Sequence, residues 1–228
     1  MKKLLVSVLF LTLLSLAAFA QESRNFPVSG FNKLTMGSAF KVEVKQGSKF
    51  SVTASGRSED LEDMEARVSG GTLKLGFKDG SWGRNRKTVH VSITMPALQA
   101  VDFSGATKVD VGRFSGVSNM DIEVSGASQV RMEFNARKVN MDLSGASSLI
   151  LLGQCEVLNG EVSGASSFKG NDFPAKEVNI DASGASSAAV VASSVIHAEA
   201  SGASSIKYSG SAKNIHSSSS GASSIKRH

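Results

Sequence analysis

Disulfides, strong net charge and long apolar runs are all scarce in this sequence, and each scarcity excludes something. A single cysteine, Cys155, rules out an internal disulfide. No histidine lies near it in the sequence, so Cys155 reads as a buried, inert thiol and not a catalytic one. The formal charge is only +5, and +3 once Lys2 and Lys3 are removed. The basic residues are scattered along the chain, which speaks against a nucleic-acid partner. Their densest spot, Arg84, Arg86 and Lys87, reads as a solvated loop. Past the first twenty residues, no stretch is long and apolar enough to span a membrane.

The opening segment has its own pattern. Lys2 and Lys3 precede a mostly apolar run from Leu4 that closes on Ala18-Phe19-Ala20. Two positive charges, a short apolar stretch and an A-x-A ending predict a secretory signal peptide over residues 1–20. A membrane anchor is the alternative, but the run is short for one. No cysteine stands at the cleavage point to take a lipid. The expectation is an exported chain, residues 21–228, folded as one domain in the periplasm, at the cell surface or outside the cell.

What the sequence does have is a repeat. Ser-Gly-Ala recurs seven times, with glycines at 105, 126, 145, 164, 184, 202 and 221, separated by 21, 19, 19, 20, 18 and 19 residues. Before each glycine, apolar residues take every second position, as in Val139-Asn140-Met141-Asp142-Leu143. That is the period of a strand. A second short strand follows, as in Ser148-Leu149-Ile150-Leu151, and then a polar or glycine-containing turn. A unit with two short strands cannot bury its own apolar face; stacking copies at roughly 4.8 Å per rung solves this. The prediction is an all-β protein: a parallel β-helix of about 19-residue rungs over residues 98–228, with residues 21–97 as an N-terminal β region capping it. A sandwich of hairpins is the alternative, but hairpins do not need identical sequence at fixed spacing.

Three inward columns follow from the register. Met120, Val139 and Leu158 open the one lying six residues before the glycine; Phe103, Val124 and Leu143 the one two before it; Val109, Val130 and Leu149 the one four after it. The glycine marks a corner that needs φ > 0 or close backbone approach. The alanine beside it is expected to tuck under that corner, and the serines flanking the pair are explained by small size. In the N-terminal region, strands are expected near residues 40–44, 50–53, 73–75 and 89–93, and a short helix over 58–64 with Ser58 as N-cap. Residues 78–87 read as a polar loop carrying Trp82.

Candidate chemistry lies on the outward positions. Three residues before successive glycines stand Asp102, Glu123, Asp142, Glu161, Asp181 and Glu199. Like charges stacked about 5 Å apart repel, so the column is either a solvated stripe or a Ca²⁺ site, since Ca²⁺ takes carboxylate oxygens from several residues. Five before the glycine, Asp121 is followed by Asn140, Asn159, Asn179, His197 and His216. These form an outward amide ladder or contact sugar hydroxyls, and the two histidines could share a metal with Glu199. Lys169, Lys207 and Lys226 form a loose column five after it. No serine is set apart by a base, so no nucleophile emerges; Ser38-Ala39-Phe40-Lys41 and Ser166-Ser167-Phe168-Lys169 match S-x-x-K without its companion motifs.

Phe31-Asn32-Lys33-Leu34, then Phe40-Lys41-Val42-Glu43-Val44-Lys45-Gln46-Gly47, Gly71-Thr72-Leu73-Lys74-Leu75 and Val91-Ser92-Ile93-Thr94-Met95-Pro96-Ala97-Leu98 precede the repeats in that order. Together they resemble the auto-transporter adhesin, head GIN domain family of Bacteroidota, across essentially the whole exported chain. The resemblance implies a β-helical exported protein and carries over no catalytic residues. The chain is too short to hold a membrane barrel of its own, unlike a true autotransporter. The expected function is a non-enzymatic binding or adhesion module that presents a repetitive polar face to a glycan or other cell-surface ligand. The alternatives are a polysaccharide-active enzyme, which would need one acid set apart from its neighbours, and a structural envelope protein. The last rung ends at His228 with no evident cap, so end-to-end self-association is also considered.

Overall fold

A computed structural model describes residues 22–78 and 86–228. The expected signal peptide, Trp82 and Arg84 lie outside them. Along the chain come β1 (Glu22–Asn25), β2 (Lys33–Gly37), β3 (Phe40–Gln46), β4 (Ser51–Gly56), α1 (Ser58–Glu62), β5 (Met64–Ser69), β6 (Thr72–Phe77) and β7 (Val89–Met95). The repeat region supplies β8 (Ala100–Ser104), β9 (Lys108–Phe114), β10 (Asn119–Val124), β11 (Gln129–Leu143), β12 (Ser148–Val162), β13 (Ser167–Ala182) and β14 (Ser187–Ala200). It ends in β15 (Ser205–Ser209), β16 (Asn214–Ser219) and β17 (Ser224–Arg227).

The repeat builds the expected β-solenoid. Each Ser-Gly-Ala joins a leading strand to a trailing strand, and each strand pairs in parallel with its equivalent one rung away. Met120 lies opposite Val139, Val139 opposite Leu158, and Leu158 opposite Val178. The inward columns hold: every member is buried except Ile215 and Ile225 in the last rung. Register irregularities absorb the uneven spacing. The 20-residue step from Gly164 to Gly184 appears as one extra residue in β13, between the partners of Ile150 and Leu152. Where a turn was expected after each trailing strand, β11 to β14 instead run on as continuous strands of 14 to 16 residues that bend into the next rung.

The corner explains the Ser-Gly-Ala-Ser consensus. All seven glycines have φ between 68° and 75°, a region that costs other residues. They also stack so closely that a β-carbon on Gly126 would lie 2.5 Å from the Gly105 carbonyl oxygen. The next amide reaches the glycine carbonyl of the rung before: Ala127 N–H donates to Gly105 at 2.7 Å and Ala146 N–H to Gly126 at 2.7 Å. The alanines do not tuck inward. Ala127, Ala146 and their equivalents are exposed, because the turn directs their side chains to solvent. The following residue, Ser128, Ser147, Ser166, Ser186 or Ser204, is the buried one. Its hydroxyl is needed there. Val124 O, for example, accepts both the Ser144 amide (3.0 Å) and the Ser147 hydroxyl (3.2 Å), so both lone pairs of a buried carbonyl are used.

The N-terminal region does more than cap. β2 pairs in parallel with β8 on one side and β6 on the other, and β3 likewise with β9 and β7. Residues 33–46 and 72–95 therefore form rungs of the same solenoid, and the later pair is stacked outside the earlier one. Only β5, antiparallel to β6, and β4, antiparallel to β7, with β1 and α1 beside them, close the end. Arg57, not Ser58, stands at the N-cap of α1, and no side chain caps it. Arg57 instead pairs with Asp60 at 2.8 Å.

Candidate functional site

Strand alternation sends the residues five and three before each glycine to the outer side of the leading strands. The amide column is a hydrogen-bonded ladder: Asn140 Nδ2 donates to Asp121 Oδ1 (2.8 Å), Asn159 to Asn140 (2.9 Å) and Asn179 to Asn159 (2.9 Å). Every amide in the ladder donates to the rung nearer the N-terminal end, and Asp121 accepts at the end of the run. The column continues in His197 and His216, whose rings stack face to face with centroids 4.7 Å apart and planes 6° off parallel.

The carboxylates form the parallel column. Asp102, Glu123, Asp142, Glu161, Asp181 and Glu199 are in direct register from rung to rung, and Thr35 and Lys74 extend the file past Asp102. Burial pushes the Asp102 carboxyl above its ordinary range, against the opposing charge of Lys74. Among the described residues, no three His, Cys, Asp or Glu side chains converge into a group able to hold a metal ion.

Between the two columns runs a trough of 510 Å³, walled by Asp121, Asn140 and Asn159 on one side and Asp102, Glu123, Asp142 and Glu161 on the other. The side chains of Val101, Ile122 and Met141 point into the core, so the floor is backbone. Gly160 belongs to the same inward column; a β-carbon there would meet Met141 Cε at 2.4 Å and Ile180 Cδ1 at 2.7 Å. Asn140 and Asn159 each spend one amide proton and one carbonyl lone pair on the ladder, which leaves one N–H and one lone pair each for a ligand.

The trailing strands carry lysines as well as the carboxylates Glu43, Asp110 and Glu133. Lys41, Lys108, Lys169, Lys207 and Lys226 all project from that side and are exposed. The last three form the loose column five after the glycine; Lys41 and Lys108 form a separate pair in the neighbouring column, three after the corner residue, which the sequence did not reveal. Ser38 takes the place of the corner glycine, so Gly37-Ser38-Ala39 did not register as a repeat, although Lys41 follows it as Lys108 follows Gly105. Ser38 has φ 151° and lies beneath Gly105, whose β-carbon would be 2.8 Å from the Ser38 nitrogen.

Cys155 is buried, as expected. Burial, aided by the charge of Glu156, pushes its thiol up to about 12. At the capped end, Asp60 is a buried carboxylate held by Arg57 (2.8 and 3.2 Å) and the Lys87 amide (3.2 Å). It ties α1 to the segment leading into β7, which is a structural role. At the other end β16 pairs with β14, and Ile215 is 37% exposed. The expected end-to-end association refers to this rung. Among the described residues, no helix is long and apolar enough to cross a membrane.

Comparison with solved structures returns the same architecture. The chain is similar to a putative adhesin from Bacteroides fragilis, at 25% identity and TM-score 0.86, over 91% of this chain and 96% of that one. It is also similar in fold to a putative adhesin from Parabacteroides merdae (16% identity, TM-score 0.71, 91% and 95% covered). A putative lipid binding protein from Parabacteroides distasonis shares the fold too (19% identity, TM-score 0.68, 91% and 96% covered). No curated protein matches the chain. Residues 30–212 match the family model described as putative auto-transporter adhesin, head GIN domain, and the chain belongs to that family.

Proposed function

We propose that the protein is an exported, non-enzymatic adhesion module and that the trough on the leading strands receives a glycan. The observation that carries this reading is the pairing of walls along that trough. Amides with unused N–H groups stand on one side and carboxylates on the other. Sugar hydroxyls accept from the first and donate to the second. Asn140 and Asn159 are the central contacts of the proposal, with Asn179, whose amide also donates to Glu177 (3.3 Å), and then His197 and His216 extending the row. The regularity that favours a repetitive ligand also speaks against catalysis: only Asp102, half-buried and near the charge of Lys74, is set apart in the carboxylate column, and no second acid stands out to pair with it. Membership of an adhesin family supports both export and binding. A Ca²⁺ ion shared between the ligand and the outward carboxylates is part of the same proposal.

The test is a glycan array probed with the purified protein, once with Ca²⁺ and once with EDTA. Specific binding that Asn159→Leu abolishes supports the trough. Its loss in EDTA supports the shared cation, and its persistence there retires the cation alone. No binding in either condition sinks the glycan reading.

A further inference from the structure

We propose that the trailing face is a second, separate binding surface, built for an extended acidic polysaccharide whose carboxylates lie along the solenoid axis. Lys41, Lys108, Lys169, Lys207 and Lys226 are exposed there, and no carboxylate lies within 4.0 Å of any of them among the described residues. Three other cations of this face are already paired, Lys45 with Glu43 (3.0 Å), Arg113 with Glu133 (2.6 Å) and Arg131 with Asp110 (3.5 Å), and Arg227 donates to the Gly210 carbonyl (2.8 Å).

Four of these lysines are also stacked in pairs. Lys41 is in direct register with Lys108, and Lys207 with Lys226. Like charges facing each other across strands are destabilising, and a bound polyanion removes that penalty. A path for one exists. A trough of 530 Å³ lined by Lys41, Lys108, Lys169 and the Asp110–Arg131 pair adjoins a second of 320 Å³ lined by Lys169 and Lys207. Lys169 belongs to both, so the groove continues along the axis. Lys169 and Lys207 lie two rungs apart, about 10 Å at the usual strand spacing.

A sugar chain fits this groove better than a nucleic acid does. Beside the lysines runs a file of hydroxyls, with Ser187 donating to Ser167 (3.2 Å) and Ser205 3.4 Å from Ser224. Hydroxyls suit a hydroxyl-rich polymer. Among the described residues, the face carries no exposed row of aromatic rings, the platform on which single-stranded bases stack. Of the aromatic rings lining the groove, Phe168 is buried and Tyr208 half-buried.

The experiment is calorimetric binding of the purified protein to polygalacturonate, with its neutral methyl ester, poly-glutamate and oligo-deoxythymidylate as comparison probes. Polygalacturonate is expected to bind in a salt-dependent manner and the ester not at all, with the other two polyanions at least about tenfold weaker. Lys108→Glu combined with Lys207→Glu should lower affinity about a hundredfold. Lys138→Glu combined with Lys213→Glu makes the same charge change away from the groove and should have little effect. Asp142→Asn with Glu161→Gln on the leading face should leave polygalacturonate binding unchanged, which separates this surface from the glycan trough. Thermal unfolding of each variant checks that it remains folded. Equal binding of all three polyanions, equal losses from the two double reversals, or no binding of polygalacturonate would each overturn the proposal.

Discussion

A β-carbon added to Gly145 would lie 2.6 Å from the carbonyl oxygen of Gly126 on the rung before. The corner therefore excludes a side chain for two separate reasons, a positive φ and a backbone too close to pass. Gly116 has nearly the same φ, 74° against 72°, but nothing within 4 Å of its β-carbon position. Gly116→Ala should cost about 1 kcal/mol, the conformational cost alone. Gly145→Ala should cost at least about 3 kcal/mol, because backbone must also move. Urea unfolding of the two variants measures the difference; equal costs would mean that the stacking contact is not rigid.

Ser38 provides the converse. It occupies the corner position with φ 151°, where only glycine is comfortable, and its contact to Thr107 runs through its own carbonyl (2.7 Å), not its side chain. Ser38→Gly should stabilise the protein by about 1 kcal/mol. A lower unfolding midpoint in the variant would contradict this.

Ser147 and Ala146 are adjacent and differ in consequence. Ser147→Ala removes a buried hydroxyl bonded to Val124 O and to Ser166 Oγ (both 3.2 Å) and should cost about 1 kcal/mol. Ala146→Ser adds a hydroxyl at an exposed position and should change stability by less than about 0.5 kcal/mol. The reverse order in a thermal melt would mean that the inward side of the corner has been misassigned.

Asp60 makes stability depend on pH in a definite direction. Burial pushes its carboxyl up, but the hydrogen bonds from Arg57 and the Lys87 amide, with the charges of Arg57 and Arg86, together hold it below its ordinary value. A depressed folded-state pKa gives stability that is fully present above the unfolded value and lost as pH falls through the folded one. Asp60→Asn should cost about 3 kcal/mol at neutral pH and flatten the acid side of the stability curve. An unchanged acid slope would remove Asp60 from the account.

Cys155 should be silent toward a thiol reagent. With its thiol pushed up to about 12 and its side chain buried, almost no thiolate exists at neutral pH. Labelling is expected only after denaturation, and stoichiometric labelling of the folded protein would refute it.

Much of this was legible in the chain because a solenoid writes its structure locally. A strand alternates with period two whatever it packs against, so Val139, Met141 and Leu143 announce their inward side and Asn140 and Asp142 their outward side. Gly145 announces a corner because few other residues accept its φ. The amide ladder follows from the same arithmetic, since equal spacing places Asn140 under Asn159. Less legible was which corner residue is buried. Ala146 and Ser147 are both small, and only the position of the Val124 carbonyl makes the hydroxyl the inward group.

The sequence by itself determined the repeat, its period and the two sides of every repeat strand, because these depend on residues a few positions apart. Only the tertiary structure decided the order of the N-terminal rungs. The stacking of residues 72–95 outside 33–46 depends on pairings between distant segments, in which β2 chooses both β6 and β8 as neighbours. That choice sets Lys41 directly against Lys108, a like-charge pair that no local pattern in the sequence announces.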